Sequence, residues 1–191
     1  MSDQPPSVTQ LITAVREGEP GAMDRLFEVV YDDLKRRAHA QLSGSSPTLD
    51  TTALVHEAYL KLSGTAEPDW ADGQHFFRVA ARAMRHIVID RARAHLTSKR
   101  GAGQVPLDLD RIQVGADSAA DQMVALDDAL SRLAKQNPRL AEVVELRFFG
   151  GLSVEETANS LDVSERTVKR DWRLARAFLH EALSEDDRSN G

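Results

Sequence analysis

Cysteine is absent from the 191 residues, so neither disulfides nor thiolate metal sites are available and the redox compartment leaves no mark. Aromatic residues are scarce, at 5%, in a chain that is 41% hydrophobic, which suits one or two small helical domains rather than a large enzyme core. No apolar run approaches a membrane span, and Met1 to Pro6 lacks the apolar stretch of a secretory signal, so a cytoplasmic protein with no membrane contact is expected. Net positive charge is lacking too. A formal charge of -6 argues against indiscriminate nucleic-acid binding, because sequence-independent affinity comes from many cations neutralising phosphates; any DNA contact must be local.

Catalytic constellations are missing as well. His56-Glu57 begins like a zinc-protease helix, but Leu60 stands where the second histidine would have to be. The six histidines, His39, His56, His75, His86, His95 and His180, form no close cluster, and there is no glycine-rich phosphate loop or nucleophile elbow. Neither an enzyme nor a metal or other cofactor is expected.

What the chain does contain is concentrated between Gly150 and Leu179. Ser153 followed by Glu156 is a capping box, so a helix should run over Val154 to Ser160, with Gly150 and Gly151 ending the one before it. Leu161-Asp162-Val163 breaks that helix, and Ser164 offers an N-cap for a second one reaching about His180. Helix, three-residue turn, helix is the result. On the second helix Val168, Trp172, Ala175 and Leu179 share one apolar stripe. Arg166, Lys169, Arg170, Arg173 and Arg176 fall within an arc of roughly 120° nearly opposite, with only Glu165 and Asp171 as acids nearby. A packed back, a basic front and short polar residues (Ser164, Thr167) at the N-terminus are what major-groove reading requires; the plainer alternative is a solvated basic face.

Upstream the periodicity is helical throughout. Ser7 and Gln10 form a capping box before Val8, Leu11, Ile12 and Val15; Gly18 to Gly21 breaks that helix. Leu26, Val30, Leu34, Ala38 and Leu42 form an i, i+4 row over the next, which Gly44 to Pro47 ends. Asp50 to Leu62 follows, with Leu54, Val55, Ala58, Tyr59 and Leu62 apolar and His56, Glu57 and Lys61 facing outward. The turn-rich loop Gly64 to Gly73 contains Trp70, either an exposed stacking surface or an indole tucked into the core. The helix over about Gln74 to Thr97 carries Phe77, Ala80, Ala81, Met84, Ile87 and Val88 on one side. Arg78, Arg82, Arg85 and Arg93 lie on the other within roughly 80°, and the basic character continues through Arg91, Lys99 and Arg100. Gly101 to Ser118 has no helical period, turns from basic to acidic and reads as a linker. Met123, Leu126, Leu130 and Leu133 mark one more helix, and Asn137-Pro138 starts another with Leu140, Val143, Val144 and Leu146. The tail from Ser184 to Gly191 is acidic and polar and is expected to fray. The fold class is all-α: two small helical domains joined by a flexible linker, the C-terminal one a four-helix unit with the helix-turn-helix.

With both halves read, the chain resembles a bacterial RNA polymerase sigma factor of the extracytoplasmic-function (ECF) group, ECF-like branch, over about Val8 to Leu183. Leu54-Val-His-Glu-Ala-Tyr-Leu-Lys-Leu62 is similar to the segment that docks on the polymerase beta-prime clamp helices. His75-Phe-Phe-Arg-Val-Ala-Ala-Arg-Ala-Met-Arg-His-Ile-Val-Ile-Asp-Arg-Ala-Arg93 resembles the helix that melts and reads the minus-ten promoter element, and Leu152 to Arg176 resembles the minus-thirty-five reader. The resemblance implies sigma region 2 over residues 7–100, a linker over 101–118 lying in the polymerase, and sigma region 4, winged-helix-like, over 119–184. It implies no third domain between them and no autoinhibitory N-terminal one. Implied partners are core RNA polymerase, through the beta-prime clamp helices and beta flap, and promoter DNA, with an anti-sigma factor or a serine/threonine kinase as a possible controller. The protein would be nucleoid-associated when bound to polymerase. Implied upstream-element contacts are Ser164, Glu165, Arg166, Thr167, Lys169, Arg170, Arg173 and Arg176; minus-ten contacts are Trp70, Arg78, Arg82, Arg85 and Arg93; polymerase contacts are Asp50, His56, Glu57 and Lys61.

In one place the chain departs from its relatives. Asp50-Thr51-Thr52-Ala53 stands where they carry an Asp-Ala-Glu-Asp stretch, so two carboxylates expected to face the clamp are missing. Either Thr51 merely caps the helix and Glu57 suffices for docking, or phosphorylation of Thr51 or Thr52 restores about -1.5 to -2 of charge at a helix N-terminus that favours an anion. The competing reading of the whole chain is a helix-turn-helix regulator acting without replacing the housekeeping sigma factor. Its sensory N-terminal domain should show strands or an apolar ligand pocket. An interaction protein that never touches DNA would leave both arginine faces unexplained.

Overall fold

The computed structural model describes residues 6–42, 51–64, 70–101 and 114–189, with side chains over 6–35, 52–64, 70–98 and 120–184. Asp50, the Thr51 side chain, the Gly44 to Pro47 break, residues 65–69 of the Gly64 to Gly73 loop, the side chains of Lys99 and Arg100, and residues 102–113 lie outside that description. The described residues contain helices and turns and no strand. None of these helices is long and apolar enough to cross a membrane.

Helix α1 (Val8–Arg16) starts at the expected box: the Ser7 hydroxyl accepts from the Gln10 N–H at 3.3 Å and the Gln10 amide oxygen accepts from the Ser7 N–H at 2.8 Å. Helices α2 (Ala22–Leu42), α3 (Thr51–Ser63) and α4 (Gly73–Gly101) complete the N-terminal unit. Its core joins Leu11 and Ile12 of α1, Leu26, Val30 and Leu34 of the α2 row, Leu54, Val55, Ala58 and Leu62 of α3, and Phe76, Ala80 and Met84 of α4. Each large aliphatic or aromatic side chain buried there contributes about 1.5–3 kcal/mol. Ala38 and Leu42, the last members of the α2 row, lie outside the side-chain description.

The C-terminal unit is built from α5 (Val114–Gln136), α6 (Pro138–Val144), a π-helical turn (Glu145–Phe149), α7 (Val154–Leu161) and α8 (Glu165–Ser189). Asn137 caps α6 with its side chain accepting from the Leu140 N–H, and Pro138 occupies N1, where a missing N–H costs nothing. Ser153 and Glu156 make the second capping box. Leu130, Leu133, Leu140, Ala141, Val144, Phe149, Ala175 and Leu179 form its main core; Val143, Ala158 and Val168 form a smaller one beneath the helix-turn-helix.

Three differences from the sequence reading concern element ends, the first being that α8 does not stop near His180 but runs to Ser189, through most of the tail expected to fray. Helix α5 begins at Val114, inside the stretch read as linker, where Gly115 and Asp117 mask the helical period; an acid is well placed in a first turn, against the positive end of the helix dipole. The α6 helix does not run straight to Gly150 but widens into the π turn, an uncommon geometry often found at functional sites.

The units pack against each other along α4. Ala81 of α4 is buried with Leu146 and Leu152, and a Cβ placed on Gly150 would lie 2.9 Å from the Ala81 Cβ. Met123 of α5 touches both large cores.

Candidate nucleic-acid interface

The α8 face follows the sequence reading closely. Asp162 adopts a left-handed conformation (φ 52°), tolerated by a short polar side chain, and turns the chain out of α7. The Ser164 hydroxyl then accepts from the Thr167 N–H at 3.2 Å and starts α8. Val168, Ala175 and Leu179 are buried and Trp172 is half-buried, so the helix is fixed from behind. Arg166, Lys169, Arg170, Arg173 and Arg176 are all exposed on the other side. Lys169 pairs with Glu165 at 3.1 Å across one turn, and the Arg173 guanidinium donates to the Lys169 carbonyl at 3.4 Å. Surface pairs of this kind contribute little and exchange readily for phosphate.

Asp171 adds to the sequence reading. Expected as an acid near the basic face, it is 1% exposed, with Oδ2 accepting from Arg139 Nε at 2.8 Å and Oδ1 from Arg170 Nη2 at 2.9 Å and Nε at 3.1 Å. A buried carboxylate with two guanidinium partners tethers α8 to α6 and limits where the Arg170 fork can point. Beside it the Arg147 guanidinium lies 4.6 Å over the Trp172 ring, and burial lowers its pKa below the ordinary arginine value. Leu126, Val144, Phe148, Trp172, Leu179 and Leu183 line an apolar groove of about 680 Å³ between α5, the π turn and α8.

The α4 row is in a different state. Arg85 is largely buried: its Nη2 lies 2.6 Å and its Nε 2.9 Å from Asp127 Oδ1, and its Nη1 donates to Glu145. Arg93 reaches the other Asp127 oxygen at 2.9 Å; Arg82 lies 3.3 Å from Glu145 and 3.7 Å from Glu142. The Arg78 Nε is buried without a hydrogen-bond partner among the described residues. Three of the four arginines therefore face carboxylates of the C-terminal unit. Asp127 was findable in part, since it falls beside Met123, Leu126 and Leu130 on the apolar side of α5, where an acid needs a cation. Which cation was not legible, and nothing local marked Glu142 or Glu145.

The exposed reading of Trp70 is overturned: the indole is 3% exposed and packs edge-on against Phe76, ring centroids 5.1 Å apart. With so few aromatics the core takes a large ring where it can, and the Trp70 indole offers no open face for stacking.

On α3, His56 and Lys61 are exposed as expected. Glu57 is engaged by both Nε (3.2 Å) and Nη2 of Arg91, and Lys61 lies 3.6 Å from Asp90. Leu60, not singled out in the sequence, is 54% exposed between them and lines a shallow groove with Ile87 and Ala94. No acid lies in the first turn of α3, and the Thr52 side chain there is exposed.

A family model described as ECF sigma factor matches residues 5–185. The chain is also 29% identical over 186 residues to the ECF RNA polymerase sigma factor BldN of Streptomyces coelicolor, an alignment spanning 94% of this chain and 67% of that protein.

Proposed function

The chain belongs to the ECF sigma factor family, and on that premise we propose that its two cationic helices divide promoter recognition between them, α8 reading the upstream element and α4 the minus-ten element. As a family member it supports promoter-specific transcription initiation with RNA polymerase and is not an enzyme. The single observation carrying the finer reading is the continuous exposed cationic face of α8 on a helix fixed from behind by Val168, Ala175 and Leu179. Arg166, Lys169 and Arg170, nearest the helix N-terminus, face base edges alongside Ser164, Glu165 and Thr167; Arg173 and Arg176, further along, face phosphate. Residues 7–100 then act as region 2, 119–184 as region 4, and the segment between them as the linker, with α5 reaching back to Val114. The apolar groove beside Trp172 and Leu183 suits an apolar element of the beta flap, and the His56, Glu57, Leu60 and Lys61 surface suits the clamp helices. In an assay of promoter binding by reconstituted polymerase, Arg166→Ala or Arg170→Ala should cost about 1–3 kcal/mol at a matched promoter, while Arg176→Ala should chiefly flatten the salt dependence. Unchanged binding in all three would remove α8 from the interface.

A phosphothreonine at Thr51 or Thr52 fits the same reading. Glu57 is held by Arg91 and the first turn of α3 has no acid, so α3 itself presents little free negative charge to a basic clamp surface without modification. Core-polymerase affinity of wild type, Thr52→Glu and Thr51→Ala/Thr52→Ala, each with and without treatment by a serine/threonine kinase, tests it. Tight binding by the unmodified protein, unchanged in the double alanine variant, would leave no role for a phosphate.

A further inference from the structure

Arg170 reaches the surface with one side of its guanidinium already taken. Nε and Nη2 both donate to Asp171 Oδ1, at 3.1 and 2.9 Å, so the edge formed by those two nitrogens is turned inward. The end of the fork, Nη1 with the second hydrogen of Nη2, meets no acceptor among the described residues, and the side chain is 56% exposed. Asp171 cannot follow a moving guanidinium to the surface: it is 1% exposed, and its Oδ2 accepts from Arg139 Nε at 2.8 Å, which ties it to α6. A guanidinium held by two donors on a carboxylate fixed in this way keeps its plane as well as its place. Among the described residues the other cations of the face have no buried anchor. Lys169 pairs with the exposed Glu165, and Arg173 leans on the Lys169 carbonyl at 3.4 Å.

Two parallel N–H donors presented end-on select among bases in the major groove. Guanine offers N7 and O6, both acceptors. Adenine sets an N6 amino donor beside N7, so one of the two N–H groups would meet another donor; thymine has a single acceptor beside its methyl group, and cytosine has a donor. We infer that Arg170 reads a guanine of the upstream element with the fork end that Asp171 leaves free, and that Asp171 is the positioning residue that sets this selectivity. The inference rests on the reading of α8 as the upstream-element helix, and adds to it the base that is selected and the buried group that aims the reader. A fork already aimed has little rotamer freedom left to lose on binding, and a fork that cannot turn aside cannot adapt to the wrong base. Burial of Asp171 also keeps its charge away from promoter phosphate.

The test uses the full chain in reconstituted holoenzyme and a duplex promoter that it opens, with each base pair of the upstream element replaced in turn. Wild type should show a G·C pair whose replacement weakens binding about tenfold. Arg170→Lys keeps the charge and loses the fork; it should flatten that position to within about twofold while the salt dependence and the preferences elsewhere stay as they were. Asp171→Asn should weaken binding about fivefold with the guanine in place and leave it unchanged once the guanine is replaced, a selective loss that general loosening of the C-terminal unit does not produce. Should Asp171→Asn unfold on circular dichroism, Asp171→Glu serves instead, since it keeps the charge and displaces the fork by the length of a methylene. A uniform loss across all base replacements in the Asp171 variant would make that residue merely structural and overturn the inference. So would flattening by Arg170→Lys at an A·T pair, or at no position, while Arg166→Ala still weakens promoter binding. Unchanged binding in Arg166→Ala, Arg170→Ala and Arg176→Ala would instead overturn the reading of α8 on which the inference rests.

Discussion

Helices α4 and α8 carry nearly the same surface code, a band of arginines opposite an apolar stripe, and the fold treats them in opposite ways. The α8 band faces outward; its acidic partners among the described residues are Glu165, which makes a surface pair, and Asp171, which is buried beneath it. The α4 band is drawn against another unit: Arg85 is largely buried where it meets Asp127 and Glu145, while Arg82 and Arg93 stay exposed and pair with the same acids at their edges. Helical periodicity reports which residues share a face; it says nothing of whether that face meets water, nucleic acid or a distant part of the same chain. The lesson for α4 is that a cationic row with almost no acids in its own helix is still neutralised, by acids that join it only in the tertiary structure.

The comparison can be strained at four places, in decreasing order of effect. Trp70→Ala should lower stability by about 3–5 kcal/mol in urea denaturation, because it removes the largest ring from the N-terminal core; a folded variant of normal stability would return the indole to the surface. Arg85→Ala should cost about 2 kcal/mol in the same measurement, leaving Asp127 and Glu145 short of a cation, whereas Arg176→Ala should stay within about 0.5 kcal/mol. Equal losses from the two would erase the distinction between the helices. Asp171→Asn should weaken promoter binding by about 1 kcal/mol, roughly fivefold, through looser placement of Arg170, while Arg139→Ala, which leaves the Arg170 contact in place, should weaken it less. The smallest effect belongs to Tyr59, whose hydroxyl donates to Asp24 at 2.5 Å and so ties α3 to α2 away from either arginine band. That hydrogen bond, with burial and the Asp24 charge adding to it, raises the Tyr59 pKa above 10.0. The stabilisation is therefore complete below the unfolded value and lost as pH rises through the raised folded value. The stability difference between wild type and Tyr59→Phe, measured at neutral pH and again above pH 10, should shrink at the higher pH.

Much of the architecture was legible because it is local. The capping boxes at Ser7 and Ser153, the Asn137-Pro138 start and the Ser164 cap all act within three residues, and each forms as written. The start of α5 was not legible, because glycine and acids weaken a helical period even where a helix can carry them near its N-terminus. Glu57 and Lys61 were correctly placed on α3, but their pairing with Arg91 and Asp90 crosses to another helix and leaves no periodic trace. Leu60 was passed over for the opposite reason, since an apolar residue in an apolar run reads as core until the packing direction is known.

By itself the sequence determined the helices, their caps, the helix-turn-helix and the exposed cationic face of α8, since all depend on residues within a turn or two of one another. Only the tertiary structure decided that Trp70 goes inside, that Asp171 is buried as a tether, and that Arg85 is largely buried against Asp127 and Glu145. Arg85 lies 42 positions from Asp127 and 60 from Glu145 along the chain, so their meeting depends on how two separately formed cores dock, a choice that no local period encodes.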